Sequence, residues 1–187
     1  MKHLTGTERF NLCGKDAGIS LADFWSWAYS DLLNNTSRGI LSEFLVLSSL
    51  YESIPEPRQD WMPFDVTSPS GRRIEVKSSA YLQSWTEDCY SRILFDIAPK
   101  KSWTPEQGIS PVRKRSSDIY AFCVYTALSK DSPILDLSLW DFYILPTSVL
   151  DLMVPDQKTI GLQSLLKLCP IKADYDTLGQ AIESIKL

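Results

Sequence analysis

The chain has 187 residues, 44% of them apolar and 22% charged, with six Trp and eight Tyr, a composition that suits one folded domain with a buried core and argues against disorder. Its single histidine, His3, disfavours a Ser-His-Asp triad, a Cys-His dyad, a multi-histidine zinc site and a histidine-metal nuclease finger, so a hydrolase here has to use carboxylates, lysine and a hard cation. The formal charge of −4 gives no general support for nucleic-acid binding, which then has to rest on a local basic patch.

Residues 1–17 are expected to be irregular, at the front of a single domain spanning 1–187. Met1 to Gly14 lacks the continuous apolar stretch of a signal peptide, and no window reaches the length of a membrane span. Cys13, Cys89, Cys123 and Cys169 are scattered without metal-type spacing. The expectation is a cytoplasmic protein with no membrane partner and reduced, mostly buried thiols. Ser20 to Asp23 predicts a helix cap, with Ile19 and Phe24 placed as a staple and a helix running through Trp25, Ala28 and Leu32 to Asn34-Asn35. Ser37 is placed to cap a second helix from Gly39 to about Tyr51, where Ile40, Leu41, Phe44, Leu47 and Leu50 recur at helical spacing.

Next come two strands joined by Pro69-Ser70-Gly71, then a polar aromatic connection from Tyr81 to Tyr90, and a strand over Arg92 to Ile97. Lys100 to Ser116 reads as a long loop. Asp118 to Ala127 and Leu139 to Leu145 are apolar, β-favouring and predicted to be central strands. Pro146-Thr147-Ser148 starts a short helix, with Asp151 placed to close a box on Ser148. Ile160 to Leu168 and Tyr175 to Ile185 are predicted helices. Helices, then strands, then helices predict an α/β three-layer domain with a central mixed sheet. No Gly-rich phosphate loop or dinucleotide fingerprint follows a strand.

The two strands of the hairpin carry the chemistry. Pro69-Ser70-Gly71 suits a three-residue loop, a type I turn followed by Gly in the left-handed region. Ser68 then sits opposite Arg72 and Asp65 opposite Glu75. Opposed residues share a face, as do residues two apart on one strand. Asp65, Glu75 and Lys77 therefore point one way, and Ile74 and Val76 point the other. Carboxylates held that close repel unless a cation lies between them. Glu43, the one acid in an apolar helical stretch, could reach the same group, or it could be a solvated position paired with Arg38.

Helix with Glu43, then Pro63-Phe64-Asp65, a hairpin, and Glu75-Val76-Lys77 resembles the PD-(D/E)xK nuclease superfamily, the restriction-endonuclease-like fold. The resemblance covers roughly Ser37 to Ser79 and extends more weakly through the later strands. Phe64 stands between Pro63 and Asp65, where the family motif has Pro directly before Asp. What the resemblance implies is a Mg²⁺- or Mn²⁺-dependent nuclease cutting phosphodiester bonds, with DNA as the expected substrate and a homodimer as a candidate assembly. Asp65 and Glu75 would be metal ligands, the Val76 carbonyl a third, Lys77 the catalytic lysine and Glu43 the helix acid. A second acidic triplet, Asp156-Gln157-Lys158, follows Pro155 with no hairpin partner and is set aside.

Arg72, Arg73, Arg113, Lys114 and Arg115 are the candidate phosphate contacts, against the alternative that they line a solvated loop. Trp85 and Trp103 could stack on unpaired bases or cover the core, and Gln83 could support the site or be a surface amide. Three functions stay open. One is a metal-dependent nuclease. Another is a non-catalytic nuclease-fold module binding nucleic acid or a partner protein. The third is a subunit that associates through the aromatic helix from Phe24 to Tyr29. A solvated hairpin face, with acids and lysines alternating for solubility, is the plain alternative for the motif itself.

Overall fold

The computed structural model of the chain describes residues 2–60, 62–85, 89–104 and 108–186, with backbone alone at 102–104 and 109. Cys13 and Gly14 both have positive φ, 51° and 78°, which is what a two-residue hairpin loop between right-twisted strands requires. They join β1 (Arg9–Leu12) to β2 (Lys15–Ser20), with Leu12 opposite Lys15. The N-terminal segment is thus a hairpin, where an irregular stretch to about Ala17 was expected. α1 (Leu21–Tyr29) starts at Ser20, whose hydroxyl and the Asp23 carboxylate cap each other's amides. This helix buries none of its residues, and Phe24, Trp25, Trp27 and Tyr29 are exposed.

α2 (Asn35–Leu50) is capped by Asn34, whose side chain accepts the Ser37 N–H at 2.9 Å. Ser37, the expected cap, therefore lies inside the first turn. The hairpin follows as β3 (Val66–Thr67) and β4 (Arg73–Ala80). β5 (Leu94–Asp96) leads into β6 (Lys100–Thr104) and β7 (Gly108–Lys114), an antiparallel ribbon. The stretch expected as a long loop is largely this ribbon.

β8 (Ile119–Tyr125) is buried at every residue and β9 (Trp140–Pro146) at five of seven, as their uninterrupted apolar character demands. α3 (Thr147–Met153) has no side-chain cap; Asp151 pairs with Arg115 at 2.6 Å instead of closing a box on Ser148. The expected helix from Ile160 divides into β10 (Thr159–Gly161) and α4 (Leu162–Leu166). β11 (Ile171–Ala173) and α5 (Tyr175–Ser184) complete the described chain.

The fold is mixed α/β. Its main sheet runs β11-β9-β8-β4-β3, with β4 parallel to β8 and the other neighbours antiparallel. One face packs Ile74, Val76, Ala121 and Ile144 against Leu45 and Val46 of α2 and Leu178 and Ile182 of α5. The other packs Tyr120, Phe122, Val124 and Leu145 against Phe95, Leu150, Ile160 and Leu165. Both faces are therefore covered. Of the four free cysteines only Cys123 is buried; Cys13, Cys89 and Cys169 are exposed, contrary to expectation. No helix among the described residues is long and apolar enough to cross a membrane.

α2 and α5 cross at Gly179, where an added Cβ would collide with the Ser49 carbonyl oxygen. Backbone cannot retreat as a flexible side chain can. Gly179→Ala should cost about 1–3 kcal/mol in urea unfolding. Gly39→Ala in α2, where a Cβ meets open space, should instead gain about 0.5–1 kcal/mol.

Candidate functional site

Ser68 N–H donates to the Arg72 carbonyl and Gly71 N–H to the Ser68 carbonyl, both at 2.9 Å. Gly71 sits at φ +84°, a conformation a Cβ would strain. The turn pairs Thr67 with Arg73 and Val66 with Ile74, the register the turn chemistry predicts, and Asp65 stands one residue before this ladder, where the same register would set it opposite Glu75. Asp65 N–H donates to the Ile74 carbonyl at 3.0 Å, and its Oδ2 accepts the Val76 N–H at 2.7 Å. In an antiparallel pair the amide and carbonyl of one residue point to the same edge, so the Val76 carbonyl is on the Asp65 side of β4.

Ile74 and Val76 enter the core beneath α2 while Glu75 and Lys77 take the opposite face. On that face Asp65 is open to solvent, while the Glu75 and Lys77 side chains keep only 14% and 16% of their exposure and Lys77 Nζ donates to Glu75 Oε1 at 2.5 Å. Asp65 is under electrostatic pressure. Burial above all, then the Glu75 charge, pushes its carboxyl up to about 6, with Glu43 adding to the rise and the Val76 N–H and Lys77 opposing it. Glu43 therefore acts on Asp65 through space. Its own carboxylate is held by Arg58 at 2.6 and 3.1 Å. Arg38, the partner considered for it, is buried and bonded to the Leu33 carbonyl, Asn35 and Gln83.

Two further charged groups converge here. Lys100 Nζ lies 3.7 Å from Glu75 Oε1 and 3.3 Å from Asp96 Oδ2. Burial works against the Lys100 charge, yet Glu75 and Asp96 hold its ammonium above the ordinary lysine value. Burial likewise opposes ionisation of Asp96, but the Ala98 N–H, Lys100 and Lys77 bring it below the usual carboxylate range. Tyr120, beside Glu75 in the sheet register, has its phenol driven well above its usual range by burial first and then by the Glu75 charge. Sequence reasoning did not assign Asp96 or Lys100 to the site. The signal for Asp96 was the one used for Glu43, a lone acid in an apolar run.

No group of three or more His, Cys, Asp and Glu side chains that could hold a metal ion occurs among the described residues. The set that forms is smaller: two carboxylates, Asp65 and Glu75, and a main-chain carbonyl. A hard cation such as Mg²⁺ is commonly held by one or two carboxylates and keeps its waters, so this donor chemistry fits. The Glu75 charge, second to burial in raising Asp65, is what a divalent cation would offset.

The basic candidates divide. Arg72 is folded onto α5, donating to the Ile182 carbonyl at 3.1 Å and to that of Ile185, with Glu183 3.4 Å away. Arg73 pairs with Asp118. Arg115 is turned inward with 1% side-chain exposure, bonding the Ile97 carbonyl at 2.8 Å, Asp151 at 2.6 Å and the Val154 carbonyl at 3.1 Å. Its position is that of a structural latch, and its donors are spent inside the fold. Arg113 and Lys114 are exposed on β7, opposite Lys101 and Lys100. Gln83 is buried rather than a surface amide, with its Nε2 donating to the Ala80 carbonyl at 3.2 Å. Trp85 is exposed; the Trp103 side chain lies outside the described residues.

No protein-family model matches the chain, and no curated protein sequence does. The reading of the site therefore stands on geometry and chemistry. Between about pH 4, the unfolded carboxyl value, and about 6, the folded chain holds a proton on Asp65 that the unfolded chain releases. That contribution to stability is full below pH 4 and lost as pH rises through 6. Asp65→Asn keeps an acceptor for the Val76 N–H and removes the charge. Asp65 is open to solvent and its charge is partly screened, so in chelator at pH 8 the variant's unfolding free energy in urea should exceed the parent's by no more than about 1 kcal/mol, with the gap closing below about pH 4.

Proposed function

We propose that the chain is a divalent-metal-dependent nuclease of restriction-endonuclease-like fold, hydrolysing phosphodiester bonds in DNA. The observation that carries this is the grouping of Asp65, Glu75 and Lys77 on the β3–β4 hairpin, with the Asp65 carboxylate accepting the Val76 N–H at 2.7 Å and Lys77 donating to Glu75 at 2.5 Å. Asp65, Glu75 and the Val76 carbonyl would hold Mg²⁺ or Mn²⁺. When bound there, the ion polarises phosphoryl oxygens and lowers the pKa of a coordinated water.

The chain's own groups account for the rest. β4 fixes Glu75 and Lys77 two residues apart on one face, so the Lys77 ammonium and the ligand carboxylate move as one body. Lys77 orients the attacking water and stabilises the charge that builds on the phosphate. Glu43, held by Arg58, adds negative potential at Asp65 and so favours a cation between the strands. Exposed Lys101, Arg113 and Lys114 supply phosphate contacts outside this group, a sequence-independent grip that weakens with salt.

A second reading, a nuclease-fold module that binds nucleic acid or a partner protein without cutting, is favoured by one observation: no three metal-ligating side chains converge among the described residues. One assay separates the two. Single- and double-stranded DNA and RNA are incubated with the protein in Mg²⁺ or Mn²⁺, beside Asp65→Ala and Lys77→Ala. The nuclease reading expects metal-dependent cleavage that falls at least about 100-fold in each variant. Binding that survives both substitutions, with no cleavage by the parent, selects the module.

A further inference from the structure

Glu75 carries two ammonium groups of different character. Lys77 comes from the same strand and is fixed and mostly buried; Lys100 comes from the first residue of β6 and its side chain is 57% exposed. The β6–β7 ribbon forms its own two-stranded sheet and shares no ladder with the strand that bears Glu75. Within that ribbon Lys100 lies directly opposite Lys114, and like charges so placed repel. Among the described residues Lys114 has no carboxylate partner. Lys100 is therefore pushed from its own ribbon toward the β3–β4 hairpin, where it rests between Glu75 at 3.7 Å and Asp96 at 3.3 Å.

This is the arrangement of a replaceable charge. A group needed permanently at Glu75 would be short-bonded and enclosed, as Lys77 is. Lys100 touches Glu75 at the longer of its two contacts, and Asp96, itself half exposed at 52%, gives it a second carboxylate to stay with. We propose that Lys100 is a displaceable counter-ion that competes with the divalent cation for Glu75 and so sets the cation affinity of the site. The proposal rests on the reading of Asp65 and Glu75 as cation ligands. In it Lys100 is a positioning residue: it holds the ligand carboxylate in place while the site has no cation, and it swings onto Asp96 when one arrives.

The experiment uses Mn²⁺ alone with the full chain, by calorimetric titration and without nucleic acid. Lys100→Gln removes a positive charge a few ångströms from the ligand oxygen, so its Mn²⁺ dissociation constant should fall roughly tenfold, and the gain should shrink as NaCl is raised. Lys100→Arg keeps the charge, and Lys167→Gln removes an exposed one at the end of α4; both should stay within about twofold of the parent. Affinity that is unchanged or weaker in Lys100→Gln overturns the proposal, because Lys100 would then support cation binding rather than oppose it. Equal tightening in Lys167→Gln also overturns it, leaving only a general charge effect. Mn²⁺ binding by the parent that is lost in Asp65→Asn keeps the ligand reading intact whichever way Lys100 falls. Absence of Mn²⁺ binding in the parent and in Lys100→Gln alike would end both.

Discussion

The reversal from Ser68 to Arg72 is the constraint from which the site follows. Gly71 at positive φ and the two 2.9 Å hydrogen bonds across the turn leave one pairing available, Thr67 with Arg73. Because side chains alternate strictly along a strand, a slip of a single residue would set Asp65 opposite Ile74 and direct a carboxylate beneath α2. The cost of burying it there unpaired is several kcal/mol. The apolar requirement of Ile74 and Val76 on one face and the grouping of acids and lysine on the other are thus one fact seen from two sides of the sheet. Both depend on five residues of turn.

The same strand must then tolerate an uncomfortable concentration of charge. Asp65 and Glu75 repel, and Glu43 adds a third negative potential. Lysines offset this from two directions, one along β4 and one from the β6–β7 ribbon. Well-packed apolar groups in place of buried charges are often as stabilising or more so. Charge crowding of this kind is a common mark of functional sites, and structural ion pairs can also produce it.

How much of this was legible in the sequence depends on the range over which each feature is determined. The hairpin register was readable because Pro69-Ser70-Gly71 and the alternation of Ile74, Glu75, Val76 and Lys77 are local, and local chemistry settled both. The central strands were readable because unbroken apolar runs of that length fit a doubly covered sheet. The β1–β2 hairpin carried a weaker signal, since Cys13 takes the left-handed conformation that Asn or Gly usually marks. Helix α2 begins at Asn34 rather than Ser37 because both residues can cap and nothing within the sequence ranks them. The approach of Lys100 to Glu75 was not readable at all: it is fixed by β5 lying across the sheet and by the ribbon that follows. Arg115 shows the converse. Beside Arg113 and Lys114 it looks like part of a basic surface run, yet it stands just past the end of β7, where the carbonyls of Ile97 and Val154 draw it into the interior.

The main sheet ends on both sides in very short strands, β3 with two residues and β11 with three. A foreign chain that tried to extend the sheet would find only a few free amides and carbonyls at either margin, too little for a stable ladder. Shortness at β3 has a further effect. Past Val66 the neighbouring edge of β4 loses its strand partner just where Val76 turns toward Asp65, so a segment of backbone faces side chains instead of another ladder. The brevity that denies another strand a ladder there is also what leaves that margin to side chains.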